Sequence, residues 1–417
     1  MLTFAVIGFG ARGKNYTHLI KEMQQNSVIA VCDKNPERLA MAKARHNIPD
    51  DMLFLNEDDF FGKGRLADMC IVSTQDADHH GHALKALRTG YDLLLEKPIA
   101  TTEQDVLEIY NTAKELGRKV FVCHVLRYAP FFSFLKKELD TGKYGRISTI
   151  NLTEHVGYWH QAHSYVRGNW RNTDESSPMI IAKCCHDLDM LIWLIGSKVK
   201  TVSSQGTLRL FKRENQPEGA ADRCLECRFV ESCPYSAYEY YIKERFEKEK
   251  IRWPLDVLVN DDITRESLME ALRVGPYGRC VFTCDNNAVD HEVTNLLFED
   301  GTTAHLTMTA FTALSRRDIY VHCEYGEISG SMKDNKLHCQ VFGQEETVID
   351  VNELSKETSG YGHGGGDYFL IRDIINESEG KPTEGLTSIE NSVASHVVGF
   401  AAERSRLGEG EMQRIKY

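Results

Sequence analysis

Residues Phe4 to Gly13 read FAVIGFGARG. The apolar run Phe4, Ala5, Val6, Ile7 is a short strand. It passes straight into Gly8, Gly10 and Gly13, a G-x-G-x-x-G loop, and a helical run from 14 to 24 follows. Glycine at 8 permits the tight turn, glycine at 10 lets a pyrophosphate approach the backbone, and glycine at 13 lets the helix pack close to the strand. The helix N-terminus, with its spare N–H groups, then faces the phosphates. Phe9, Ala11 and Arg12 complete the loop and share its cofactor-binding assignment. Three glycines near a turn also occur in plain βα units, so context decides. A second strand, Val28 to Cys32, ends in Asp33, where a carboxylate meets an adenosine ribose. The stretch predicts dinucleotide binding.

The same rhythm continues to about residue 123. Strand-like runs at Phe4–Ile7, Val28–Cys32, Met69–Ser73, Tyr91–Leu95 and Lys119–Cys123 alternate with helical patterns near 14–24, 36–46, 79–89 and 101–116. Thr101, with Gln104 three residues on, reads as the N-cap of the last of these. Such alternation predicts an α/β fold, a doubly wound parallel sheet over 1–123 whose ligands sit beyond the carboxyl ends of its strands.

From 124 to 417 the pattern changes. Period-2 strands are expected at Ile147–Glu154, Val199–Leu208, Glu292–Glu299, Thr302–Thr309, Asp318–Cys323 and His338–Phe342, with helices at 131–140, 184–195, 366–377 and 387–405. Consecutive strands separated by Gly- and Asp-bearing turns predict an α+β domain with an open, largely antiparallel sheet. A charged, Cys-bearing segment from about 211 to 279 interrupts the series and reads as an insertion, with a helix from Ala237 to Lys250.

With 42% hydrophobic and 26% charged residues, the 417-residue chain has an ordinary globular composition. Its net charge of −12 and lack of a basic tract argue against nucleic acid as partner. There is no apolar run of the roughly 18–20 residues that a membrane span needs. A start directly in a strand, and twelve cysteines scattered through strand and helix patterns, predict reduced thiols and a cytoplasmic location.

Two stretches carry chemistry. Glu96-Lys97-Pro98 directly follows the strand that ends at Leu95, so Lys97 lies at the edge where a nicotinamide would be. A lysine there can hold a substrate hydroxyl and stabilise alkoxide charge. The second stretch is Lys183-Cys184-Cys185-His186-Asp187-Leu188-Asp189, at the start of a helix with Leu188, Leu191, Ile192 and Ile195 on its apolar face. Lys183, His186 and Asp189 recur at helical spacing, and a histidine suits the proton side of a hydride transfer. A helix start decorated with charges is the bland alternative.

The GFGARG loop, the segment Ser73-Thr74-Gln75-Asp76-Ala77-Asp78-His79, the Glu96-Lys97-Pro98 step and the His186-x-x-Asp189 helix occur in this order. Together they resemble the glucose–fructose oxidoreductase / inositol dehydrogenase / rhizopine-catabolism family (Gfo/Idh/MocA), over nearly the whole chain except the insertion. The resemblance implies an N-terminal Rossmann domain and an open sheet that mediates dimers or tetramers. It also implies NAD(P)-dependent chemistry at a hydroxyl of a sugar, cyclitol or glycoside. By position it makes Lys97 the polarising lysine and His186 the general acid/base, with Asp189 orienting His186 or binding substrate. Thr74, His79 and Glu96 fall on the cofactor side. Many members carry an aspartate four residues before this histidine; here that residue is Ala182, which leaves Lys183 to complete the cluster. Arg127 and Tyr128 fall where members line the interdomain cleft. His155, Tyr158, His160, His163 and Arg167 cluster beyond the next strand and are candidates for sugar hydroxyls.

Within the insertion, Cys224-x-x-Cys227-x5-Cys233-Pro234 has metal-type spacing, with Cys280 as fourth thiolate and Cys284 the other choice. Zinc is the leading expectation, since a small insertion gains order from a tetrahedral ion. An iron–sulfur cluster is the second, and free thiols the third. Asp33 favours NAD over NADP, although Lys34 beside it keeps NADP open. The expected activity is hydride transfer between NAD and a secondary hydroxyl of a carbohydrate. The alternatives are an NAD-recycling glycosidase working by transient oxidation and elimination, and a non-catalytic nucleotide-binding sensor or regulator.

Overall fold

A computed structural model describes residues 1–23, 26–260, 262–355, 361–383, 385 and 387–416. The expected helix 14–24 is Ala11–Glu22, and residue 24 lies outside the described residues. Six strands form the first sheet: β1 (Thr3–Ile7), β2 (Ser27–Cys32), β3 (Leu53–Phe54), β4 (Met69–Val72), β5 (Asp92–Leu95) and β6 (Val120–Val122). Their order is β3-β2-β1-β4-β5-β6 and every pairing is parallel. Helices α1 (Ala11–Glu22), α2 (Pro36–His46), α3 (Glu57–Gly62), α4 (Asp76–Thr89) and α5 (Glu103–Leu116) connect them. The order reverses beside β1, which puts a crevice at the carboxyl ends of β1 and β4. Two-residue β3 is too short to show a period in sequence. The cap of α5 is Thr102, whose side chain accepts from the Asp105 N–H, one residue beyond the expected Thr101.

The second sheet has nine strands: β7 (Ile147–His155), β8 (Val199–Thr207), β9 (His291–Phe298), β10 (Thr303–Thr309), β11 (Arg316–Cys323), β12 (Gly326–Ser331), β13 (Lys336–Val341), β14 (Thr347–Asp350) and β15 (Gln413–Arg414). In the order β14-β13-β12-β11-β7-β10-β9-β8-β15, only β7 and β10 run parallel. Register follows the side-chain period of two. Leu152, Ile319 and Leu306 lie in one cross-strand row and are buried, as are Ile328 and Leu337 on β12 and β13. The next row, Val348, His338, Ser329, Tyr320, Asn151, His305 and Asn295, faces away from that core. Strand β12 escapes the sequence reading because Gly, Ser and Glu dilute its alternation, and four-residue β14 is too short to show a period.

Two features tie the halves together. Leu370, Ile371, Ile374 and Ile375, on the helix Gly366–Ser378, share one core with Phe4, Val6 and Ile71 of the first sheet. The helix Ile389–Leu407 packs on β8, α5 and the helix Cys185–Ile195. The insertion between β8 and β9 has its own small core, which includes Tyr241, Ile242, Leu255, Leu268 and Leu272.

Candidate active site

The glycine loop is shaped by close approach. Gly8 has φ of +90°, and a Cβ there would lie 2.5 Å from the Ser73 carbonyl oxygen; a Cβ on Gly13 would lie 2.2 Å from the Gly8 oxygen. Gly10 is the contrast, with nothing nearer to its would-be Cβ than Arg38 at 3.8 Å. The crowding locks β1 onto α1 while the outer edge of the turn stays open. The first turn of α1 carries no acidic residue and its N-cap Gly10 has no side-chain cap. Open backbone, unblocked amides and a positive helix end fit a pyrophosphate. Asp33 is buried and accepts from the Phe9 N–H at 2.7 Å and the Asn35 N–H at 2.9 Å. Arg38 stands 3.6 Å from the same carboxylate.

Arg12 turns away from the loop opening. Its guanidinium donates to Glu96 at 2.6 Å and to Asp367 at 2.7 Å. Glu96 also accepts from the Tyr16 hydroxyl and the Lys97 N–H. Arg12 and Glu96 therefore hold the loop and the Lys97 step in place as side chains committed to each other. On the cofactor side, Thr74 Oγ1 lies 3.1 Å from His82 Nδ1, and His79 Nδ1 lies 2.7 Å from the Pro98 carbonyl oxygen. His79 thus fastens α4 to the segment that carries Lys97.

Lys97 leaves the end of β5, and its ammonium donates to the Ala182 carbonyl at 3.0 Å. A main-chain oxygen takes the place that a carboxylate at 182 would fill. Besides Glu96, a second buried carboxylate stands near Lys97: Asp76, at the start of α4, which accepts from Trp170 Nε1 at 3.0 Å and from Ser177. His186 is buried at the head of its helix and its Nδ1 has no hydrogen-bond partner. Burial, then the charge of Lys97, with His124, Arg317 and His363 adding, holds this imidazole well below the usual histidine range. It is a neutral ring beside a cation.

The other expected residues divide. Asp189 does not orient His186: Arg127 grips it through two bonds, Nε–Oδ2 at 2.6 Å and Nη2–Oδ1 at 2.5 Å. The expected cleft residue Arg127 is consumed by the same pair, because a buried guanidinium and a buried carboxylate satisfy each other. Tyr128 is also corrected, being buried with its hydroxyl on the Thr387 N–H at 3.0 Å. His155 pairs with Asp318 at 2.8 Å. Lys183 sits 3.3 Å from buried Glu154, which with Asp187 also neutralises Arg317. Arg167 is buried and faces the insertion, where it bonds Cys224, Arg279 and Tyr235, so it is not a cleft residue. Tyr158 is half-buried, its ring 6.1 Å from that of Tyr235.

Sequence reasoning missed two groups. His363 lies 6.3 Å from His186, ring to ring, and bonds Asp367. Its signal was the run Gly362-His363-Gly364-Gly365-Gly366, a histidine set in glycines that let the chain pass close to Asp367 and Val125. The second group is an aromatic cover. Trp159 stacks on His160 at 5.3 Å and on Tyr240 at 5.5 Å, Trp253 closes on both Trp159 and His160, and Arg245 lies over Trp159. His160 is near enough to Lys183 and Lys97 to feel their charge, which places this cover over the cluster.

The four expected metal thiols do not form a zinc cage. Among the described residues, the one group of three or more His, Cys, Asp or Glu ligand atoms within 4.8 Å of one another is His80, Asp105 and Glu108, on the outer face of α4 and α5. It is a surface ion cluster, far in character from the thiol set.

The NAD-binding Rossmann-fold model of the Gfo/Idh/MocA oxidoreductase family matches residues 2–124, and the family's C-terminal alpha/beta-domain model matches residues 136–406. The chain belongs to the Gfo/Idh/MocA family. A Gfo/Idh/MocA chain of this kind has an NAD-binding Rossmann domain in an oxidoreductase framework, as its glycine loop indicates. It is 24% identical to YteT of Bacillus subtilis over 438 residues, covering 99% of each chain. It is 26% identical over 208 residues to inositol 2-dehydrogenase 2 of Saccharopolyspora erythraea, covering 49% of this chain and 56% of that one. The match thus spans about half the length of that Gfo/Idh/MocA relative. The WlbA dehydrogenase from Bordetella pertussis, solved with NADH and UDP-GlcNAcA, shares the fold with a TM-score of 0.70 at 17% identity, covering 100% and 98% of the chains. Among the described residues, no helix is long and apolar enough to cross a membrane.

Proposed function

We propose that this protein is an NAD-dependent dehydrogenase acting on a secondary hydroxyl of a sugar, cyclitol or glycoside. The observation that carries the reading is the pair at the carboxyl edge of β5: an ammonium, Lys97, anchored by a carbonyl, beside the neutral buried ring of His186. When bound, NAD supplies a hydride acceptor. The chain's own groups handle oxygen and proton. Lys97 spends one N–H on Ala182 and keeps others to hold the substrate oxygen and stabilise its developing charge. His186, already neutral, accepts the hydroxyl proton. The aromatic cover excludes water and presents flat apolar faces to a sugar ring. Asp33 supports NAD over NADP, since its carboxylate suits a free ribose 2′-hydroxyl. The inositol dehydrogenase among the relatives supports a polyol substrate.

Assembly as a homodimer or homotetramer through the outward face of the nine-stranded sheet is part of the proposal, supported by exposed Tyr320 and Val348 on one row of that face. Twelve unpaired thiols support a reducing cytoplasm. The test is the purified protein with NAD and a panel of sugars, inositols and aryl glycosides. Stoichiometric NADH with one class of polyol is the expected result. Aglycone release without net NADH would transfer the site to redox-assisted elimination. Tight NAD binding with no turnover on any compound would make it a sensor.

A further inference from the structure

Arg167 is fully charged at any physiological pH and almost wholly buried, yet among the described residues it forms no ion pair with a carboxylate. Two of its bonds go to the carbonyls of Arg279 and Tyr235, and the third, from Nη2, goes to the sulfur of Cys224 at 3.5 Å. A buried cation needs a compensating negative charge. The titratable groups near it include Cys224, Cys233, Cys280, Cys284, Tyr241 and His163.

The sulfurs accept hydrogen bonds, and Cys224 also donates one to the Arg279 carbonyl at 3.8 Å. Cys224 Sγ receives the Ala237 N–H at 3.4 Å as well as Arg167, and Cys280 Sγ receives Gln216 Nε2 at 3.9 Å. Cys224 and Cys280 are held side by side, because Arg223 bridges Arg279 and the Cys280 N–H bonds the Asp222 carbonyl. Cys227 closes the turn after Cys224, its N–H on the Cys224 carbonyl. Cys233 completes the group, near both Cys224 and Cys227. Cys284 lies beside the group, its thiol donating to the Cys280 carbonyl at 3.2 Å.

Spacing discriminates between the metals. A single zinc with Zn–S bonds of about 2.3 Å draws its four sulfurs to within about 3.8 Å of one another. No three of these sulfurs lie mutually within 4.8 Å. Thiolates divided among several irons stand farther apart as a set, a spacing that the lack of a tight trio allows.

We infer that Cys224, Cys227, Cys233 and Cys280 ligate an iron–sulfur cluster, with Arg167 as its buried counter-ion. Arg167 ends the segment Gln161–Arg167, and His160 and Trp159 lie just before it. The cluster therefore pins the base of the aromatic cover. The inference does not depend on which substrate the cleft takes.

The test is the full chain purified without oxygen and assayed for iron, acid-labile sulfide and zinc. Iron and sulfide in equal amounts, about two or four of each per chain, with a visible absorption bleached by dithionite, is the expected result. Cys227→Ser should lose most of the iron, whereas Cys284→Ser and Cys339→Ser should keep it. One zinc per chain, or iron-free protein whose insertion thiols all react with a thiol reagent in the native state, would overturn the inference. So would a Cys227→Ser chain that keeps its full iron. The metal and sulfide analysis of the unsubstituted chain stands even if a variant fails to fold.

Discussion

The two regions that meet at the cleft are built by opposite means. On the cofactor side, the glycine loop is a backbone structure: Gly8 and Gly13 admit atoms that any Cβ would displace, and Arg12, Glu96 and Asp367 neutralise one another behind it. On the insertion side, side chains do the holding. Stacked Trp159, His160 and Tyr240, a buried Arg167 and a set of thiols surround a small core. Backbone shape tolerates little change at a few positions and is indifferent elsewhere. Side-chain chemistry spreads its sensitivity over many positions and makes it depend on pH and redox conditions.

Substitutions at the junction should have the largest effect. Lys97→Ala or His186→Ala is expected to lower kcat by about 10²–10⁴-fold, measured by NADH formation. NAD affinity by calorimetry should stay within a few-fold. Loss of NAD binding with turnover retained would remove both residues from the chemistry. Next comes Arg127→Ala, which strands buried Asp189 and should cost about 3–5 kcal/mol in denaturant unfolding, with Lys97 and His186 still in place.

The loop gives a sharper contrast between neighbours. Gly13→Ala, with its Cβ driven against the Gly8 carbonyl, should destabilise the fold by about 2–4 kcal/mol and abolish NAD binding. Gly10→Ala has room and should leave the melting temperature nearly unchanged while weakening NAD binding, read by calorimetry. Equal loss of stability in the two would refute the division of roles.

The last effect is graded by pH. His163, bonded to Tyr241 of the insertion, and His396, bonded within its helix, are both pushed down to about 3 by burial. Their folded-state values lie below the unfolded value of about 6.5. The stability they contribute is present above pH 6.5 and is lost as pH falls toward 3, by about 1.4 kcal/mol per unit for each ring. Melting curves from pH 7 to 5 should therefore slope downward, and His163→Gln should flatten the slope by one proton. An unchanged slope would place the titration elsewhere.

The legibility of the sequence followed the same division. Both sheets announce themselves through apolar runs and period-two alternation, and the loop through its glycines, because backbone geometry acts on neighbours in the chain. The positions of Lys97 and His186 were legible because one follows the end of a strand and the other opens a helix. Arg127, Asp189 and Arg167 were misplaced because a charged side chain chooses its partner across space: Arg127 finds Asp189 and Arg167 finds Cys224. No local pattern records that choice. His363 was passed over because its glycine setting gives no period.

The helix Gly366–Ser378 fills the core beneath β1, and Asp367 at its start clasps Arg12 of the glycine loop. That fixes an order of events during synthesis. When the first six strands leave the ribosome, Phe4, Val6 and Ile71 have only the part of their cover that α1 and α2 supply, and Arg12 lacks one of its two carboxylate partners. The nucleotide-binding half must wait, unfinished, until nearly nine-tenths of the chain has been translated. A chain cut after residue 123 should accordingly aggregate, and the protein's earliest-made domain is among the last to be completed.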